Sequence, residues 1–213
     1  GTQLDIGDRK RAELREQHHN RVLKMLAAKS DLGDVLASIA RGVQSTHASA
    51  RCCILLLESD TKTLRVGAAP DLPDFFLQGL SSLGVDQGVG PCAQAALNAA
   101  TVVVSDIAND PACAAMGELA RRAKLRACWS QPIFSSMGTV LGSFSIYLRQ
   151  TASPTPEDLQ MLQDEARLCA LVIEKTADQS RLQLAASVFS HAREGIIITD
   201  AKGIVKYFTR QTM

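Results

Sequence analysis

The side chains best placed to do chemistry gather in one stretch, Leu125 to Arg149, LRACWSQPIFSSMGTVLGSFSIYLR. Read as two strands around a Ser-Ser-Met-Gly turn, it alternates: Arg126, Cys128 and Ser130 fall on one face, and Ser143, Ser145 and Tyr147 form the matching set on the second strand. A thiol, hydroxyls, a phenol and a guanidinium in register are groups that hydrogen-bond a small polar ligand, a polar loop or water. The interleaved Ala127, Trp129, Ile133, Phe144, Ile146 and Leu148 call for an apolar cover of helices. The polar face is therefore the candidate pocket, with an ordinary half-exposed antiparallel sheet as the plainer alternative. Two more residues join the candidate set. Cys92 falls in the first turn of a small-residue helix starting at Pro91, where free backbone N–H groups and the positive dipole end favour a thiolate. The preceding GVG lacks the third glycine of a dinucleotide loop and the Lys-Ser/Thr pair of a P-loop, so it reads more safely as a tight turn. Asp106 sits just past an apolar strand, where a carboxylate either ties down its loop, the preferred role, or meets a bound ligand. The candidate ligand-binding residues are thus Cys92, Asp106, Arg126, Cys128, Ser130, Ser143, Ser145 and Tyr147, with no catalytic and no metal-ligating set.

Other chemistries are disfavoured by spacing and composition. Cys52, Cys53, Cys92, Cys113, Cys128 and Cys169 are scattered through apolar segments with no C-x-x-C pair and no His-rich partner run, so they read as reduced core thiols. Cys52 and Cys53, neighbours on a strand, point to opposite faces. His18 and His19 are about 100° apart on a helix, an awkward geometry for one metal ion, and read as surface histidines. His47 reads as a helix end. With 213 residues, 46% hydrophobic content and a net charge of +1, the chain has room for one sizeable α/β core and no basic footprint for nucleic acid. No apolar run approaches a membrane span, so direct membrane insertion is not expected and the cytoplasm is the default location.

The elements that must position these residues follow in order. Leu14, His18, Val22 and Met25 make a helical stripe in a charged segment, an exposed connector helix. Ser30 and Asp31 offer an N-cap for a second helix burying Leu32, Val35, Leu36, Ile39 and Val43. RCCILLLE is a central strand paired with TLRVGAA. The segment from Pro70 toward Gly90 reads as a loop closing over the sheet. TVVV is a strand, and Asp110 with Pro111 starts a helix that delivers the chain into the hairpin. After Thr155, Leu159, Leu162, Ala166, Cys169 and Ile173 mark one long helix whose stripe weakens toward Leu184.

Three blocks in this order and spacing, GVGPCAQAALNAATVVVSDIANDP, LRACWSQPI and GTVLGSFSIYL, resemble a GAF domain of the bacterial signalling type over about Ser30 to Lys175. The resemblance implies an α/β (α+β) fold: a central antiparallel sheet with terminal helices on one face, a loop-covered small-molecule pocket on the other, and long connector helices. LDIGDRKRAELREQ is similar to the tail of a PAS domain, and SVFSHAREGIIITDAKGIVKYF to the start of one. The implied division is a connector helix over 1–29, a GAF domain over 30–175, a linker helix over 176–190 and a truncated PAS start over 191–213. Such GAF domains commonly occur in PAS-GAF-PAS chains ending in cyclic di-GMP enzymes or in histidine kinases, whose output motifs this chain lacks.

Three function classes follow. The first is a non-catalytic sensory module that binds an unknown small-molecule ligand, with no cofactor named, and signals along its helices. The second is a ligand-free dimerisation and relay module. The third is an enzyme like the GAF-type free methionine sulfoxide reductases, disfavoured because Cys92 is displaced by two positions and ACW replaces their ACD. The exposed leucines on the connector point to a parallel homodimer through the terminal helices, with a monomer whose stripe packs on its own sheet as the alternative.

Overall fold

A computed structural model of the chain describes residues 2–58, 60–61, 63–82, 89–191, 197–199 and 205–208, with side chains described between 13 and 187 except 59, 62 and 81–88. Helix α1 (Thr2–Ala27) is followed by α2 (Leu32–Thr46), whose N-cap Asp31 accepts the Gly33 N–H at 2.8 Å. The apolar spacing expected for α2 buries Val35, Leu36, Ile39 and Val43, while Leu32, expected in the same stripe, is only partly buried because it is the first residue of the helix; His47 is the C-cap.

Strand β1 (Ala50–Leu57) pairs antiparallel with β2 (Leu64–Ala68) and with β5 (Val140–Leu148). β4 (Ala127–Phe134) pairs with β5 on its other edge and with the short β3 (Val102–Val104). The sheet order is β2-β1-β5-β4-β3, which makes the second strand of the hairpin the centre of the sheet. At one point of this centre the backbones approach too closely for a side chain. At Gly142 (φ +154°) a Cβ would lie 1.9 Å from the Leu55 carbonyl oxygen, so no side chain fits there.

Alternation along the strands creates two cores, as the sequence pattern requires. On one face Ala50, Cys52, Ile54, Ala127, Trp129, Ile133, Phe144 and Ile146 pack with Val22 of α1, with α2, and with Leu162, Ala166 and Cys169 of the long helix α6 (Pro156–His191). Thr155 and Asp158 form the reciprocal cap of α6: Thr155 N–H donates to Asp158 Oδ2 at 2.9 Å and the Asp158 N–H to Thr155 Oγ1 at 3.2 Å. On the other face Cys53, Leu55, Cys128 and Tyr147 pack with Phe76, Leu80, Cys92, Ala93 and Met116.

Two expectations need correction here. The segment after Pro70 is not all loop. It contains α3 (Asp74–Ser82), because Phe76 and Leu80, four residues apart, put one buried stripe on a single helix face despite the flanking prolines; residues 83–88 lie outside the described part. The second correction is His18, which is not a surface histidine: its side chain is 9% exposed and lies 3.7 Å from Glu165 of α6. His19 beside it is 46% exposed, in keeping with the expectation.

α4 (Pro91–Asn98) covers the second face, and a 3-10 helix (Pro111–Met116) leads into α5 (Gly117–Arg122). Asp110 caps the 3-10 helix by accepting the Ala112 N–H at 2.8 Å, as its Asp-Pro sequence predicts. The chain divides into two compact units, Gly1–Glu174 and Lys175–Met213. In the second, β6 (Ile197–Thr199) and β7 (Val205–Phe208) form an antiparallel pair. The start of the PAS-like segment is the end of α6, and residues 192–196, 200–204, where the turn is expected, and 209–213 lie outside the described residues.

Candidate functional site

Strands β4 and β5 carry Cys128, Ser130, Ser143, Ser145 and Tyr147 onto one face, as the alternation predicts, and all five have no exposed surface. The expectation of a wetter face is corrected in this respect: α4, a helix of small residues, sits directly over the strands, and Ala93 and Cys92 reach the sheet where bulkier side chains would hold the helix away. Cys92 lies 2.7 Å from the Tyr147 hydroxyl, and Ser130 Oγ lies 2.8 Å from Ser145 Oγ across the β4–β5 register. Cys128 Sγ is 3.5 Å from Ser130 Oγ. The ring of Phe76 meets Tyr147 edge-on, 5.3 Å between centroids. Ser143 Oγ is buried with no hydrogen-bond partner.

The remaining two candidates stand elsewhere. Asp106 and Arg126 pair with each other at 3.2 Å, with side chains 25% and 46% exposed. Asp106 also accepts the Asn109 side-chain amide at 2.7 Å and the Ala108 N–H at 3.2 Å. These bonds hold the turn after β3; burial is the largest single effect on the carboxyl and raises it, but the bonds from Asn109, Arg126 and Ala108 and the Arg126 charge together outweigh it and keep the group below its usual range. That is the structural role preferred from the sequence.

Sequence reading missed one member of the buried face, Cys53 of β1, which lies directly opposite Ser145. Its alternation with Cys52 held the signal; the cross-strand register needed to pair it with the hairpin did not exist until the strands were placed.

Electrostatics separates the thiols. The hydrogen bond with Cys128 lowers Cys92 to about 7, burial opposes this, and bonds with Tyr147 and Ser145 add to it. Burial pushes the Cys53, Cys128 and Tyr147 groups up, and the neighbouring Cys92 adds to each. Cys92 is therefore the most acidic of the three thiols on this face. Among the described residues, no group of three or more His, Cys, Asp or Glu side chains is placed to hold a metal ion. No helix among them is long and apolar enough to cross a membrane.

The chain belongs to the GAF family: the family's sequence model, described as GAF domain, matches residues 29–174, and the five-stranded antiparallel sheet with terminal helices on one face is the fold expected of it. Over 208 residues the chain is 33% identical to the methyl sulfide methyltransferase-associated sensor of Methanosarcina acetivorans; the match covers 96% of this chain and 21% of that protein. The chain therefore spans about a fifth of this relative.

Solved structures share the fold. A domain of a two-component sensor histidine kinase protein from Sinorhizobium meliloti 1021 superimposes with a TM-score of 0.59 at 18% identity, covering 72% of this chain and 99% of that one. The free methionine-R-sulfoxide reductase of Neisseria meningitidis does so at 0.59 and 20% identity, over 80% and 93%. The phycoerythrobilin-bound GAF domain of a cyanobacterial phytochrome gives 0.58 at 16%, over 78% and 97%.

Proposed function

We propose that this GAF domain is a non-catalytic sensory module: a small polar ligand enters beneath α4, and the change is relayed along α6 to an output domain elsewhere in a longer protein. The observation that carries the reading is the sealed polar face itself. Cys92, Cys128, Ser130, Ser145 and Tyr147 are buried together on one face, and Ser143 adds a buried hydroxyl without a partner. A buried unpaired hydroxyl is costly, which is the condition a ligand relieves. The likeness to a protein named as a sensor supports the sensory role.

The route to the helix is short. β4 and β5 meet in the turn at Ser135–Thr139, and Ser136 donates from both its N–H and its hydroxyl to Glu174 Oε1 of α6, at 2.9 and 2.7 Å. A shift of the strands that carry the polar face therefore pulls directly on the helix.

The family resemblance supports cyclic di-GMP turnover or a histidine kinase as the output, and the division into connector helix, GAF domain, linker and PAS start stays with this reading. So do a homodimer through the terminal helices and a cytoplasmic location. A second reading has its own observation. The Cys92–Tyr147 and Ser130–Ser145 bonds already satisfy most of the polar face, as a ligand-free relay would require.

Native mass spectrometry of the protein purified from its own host decides between them. The sensory reading expects a bound mass, and stabilisation by that compound that is lost in the Ser130→Ala/Ser145→Ala double variant. A bare chain, with no stabilisation across a metabolite panel, leaves the ligand-free relay. Reduction of free methionine sulfoxide that disappears in Cys92→Ser would overturn the non-catalytic reading.

A further inference from the structure

Three of the chain's four histidines face carboxylates on one helix. Asp158 and Glu165 are two turns apart on α6 and so share a face. His47 Nε2, at the end of α2, lies 3.8 Å from Asp158 Oδ1. From α1, His18 Nε2 lies 3.7 Å from Glu165 Oε2, and His19 Nε2 lies 3.9 Å from Glu165 Oε1.

The pair at Glu165 is built into the packing. The Glu165 side chain is 5% exposed and that of His18 is 9%. Neither His18 Nε2 nor Glu165 Oε2 has a hydrogen-bond partner. Room for the imidazole comes from α2: a Cβ on Gly42 would lie 2.1 Å from His18 Nδ1, so the glycine is what lets the ring in. A cavity of about 370 Å³, lined among others by Arg15, His18, His47, Glu157, Asp158 and Glu165, joins both histidine–carboxylate pairs. It is large enough to hold water beside both pairs. On the far side of His18 a second cavity carries Arg21 and Arg41. On the core side of Glu165 lie the Cys52 and Cys169 thiols, which burial and then the Glu165 charge push up, so they give it no proton near neutral pH.

Imidazole is the side chain whose charge ordinarily changes between pH 5 and 8. A neutral His18 leaves a buried carboxylate facing a ring across a gap too long for a hydrogen bond. A protonated His18 turns the same contact into a desolvated ion pair. We propose that His18 and Glu165, with His19 on the second carboxylate oxygen, form a proton-binding latch between the N-terminal and C-terminal helices of the domain. A proton taken from water onto the His18 ring clamps α1 to α6, and its return to water loosens α1. The latch is independent of the polar face of the sheet, from which the sheet's helix-side core separates it.

The test is a double-mutant cycle on the full chain, with His18→Gln, Glu165→Gln and both, read by urea unfolding at pH 6 and pH 8. Unfolding reports on the latch because Val22 of α1 belongs to the same core as α2 and α6. The coupling between the two sites is expected to be about tenfold in the unfolding constant at pH 6, where two opposite charges would face each other at 3.7 Å largely out of water, and to fall within about threefold at pH 8. Equal coupling at both pH values, or stronger coupling at pH 8, assigns the pair to packing alone and overturns the proposal. Where only one variant folds, its destabilisation relative to the unmodified protein carries the same test: larger at pH 6 supports the latch, and equal at both pH values overturns it. If neither folds, imidazole nitrogen spectra of the unmodified protein decide, and a His18 ring still neutral at pH 6 overturns it.

Discussion

Each polar side chain on the buried face has a different environment, and the differences are measurable. Ser143 Oγ has no partner whereas Ser130 Oγ is bonded to Ser145, although both hydroxyls are fully buried. Ser143→Ala should therefore change stability by less than about 0.5 kcal/mol or raise it, while Ser130→Ala, which takes one of its partners from the Ser145 hydroxyl, should cost about 1 kcal/mol in urea unfolding. Equal losses would show that the Ser143 hydroxyl has found a partner. Cys92 gives a pH signature. Its thiol is lowered to about 7 in the folded protein, against 9.0 ordinarily. The folded state then holds fewer protons than the unfolded one between those values, so the contribution of Cys92 is full above pH 9 and disappears as pH falls through 7. The stability gap between the unmodified protein and Cys92→Ser should widen as pH rises from 7 to 9. A gap that stays level would place the thiolate elsewhere.

Among the elements, β5 and the hairpin turn carry the most constraint. Gly142 faces a backbone carbonyl 1.9 Å from where a Cβ would be, and no rotamer change relieves a clash with main chain. Gly142→Ala should cost at least about 3 kcal/mol by calorimetry, the upper range of overpacking, by prising β5 from β1. A tolerated alanine would mean that the two strands separate easily at this point. The turn has a subtler role. Glu174 accepts both Ser136 donors, and these bonds hold its carboxyl below the usual range. The turn's grip on α6 is then present at neutral pH and lost as pH falls through that lowered value. Glu174→Ala should speed hydrogen exchange at the Ser136 amide while the β5 amides stay protected; unchanged exchange at Ser136 would remove the turn from the relay.

At the scale of the whole molecule, the stripe of α6 is buried along its first half and exposed beyond it. Leu162, Ala166 and Cys169 are buried against the sheet and Ile173 packs at its edge, whereas Leu182 and Leu184 are 72% and 69% exposed. A dimer seam, if the terminal helices make one, belongs past Ile173. Leu182→Glu should then shift the sedimentation mass from dimer to monomer with the melting temperature of the GAF domain unchanged, because an exposed leucine contributes no burial to lose. A monomeric mass before the change would sink the dimer proposal.

What the sequence determined by itself was everything with a short period. The two faces of β4 and β5, the buried stripe of α2, the caps at Asp31, Asp110 and Thr155, and the opposite-facing Cys52 and Cys53 all follow from alternation, helical spacing or neighbouring residue types, which act over a few residues. The helix α3 was legible too, in Phe76 and Leu80, but prolines and glycines around it masked the spacing. Only the tertiary structure decided what covers the polar face and what the histidines meet. Cys92 and Tyr147 are 55 residues apart in the chain, and His18 reaches Glu165 only because Gly42 of a third helix leaves it space. Such contacts depend on how closely whole elements approach, and that distance is set by the summed packing of both cores, which no local pattern encodes.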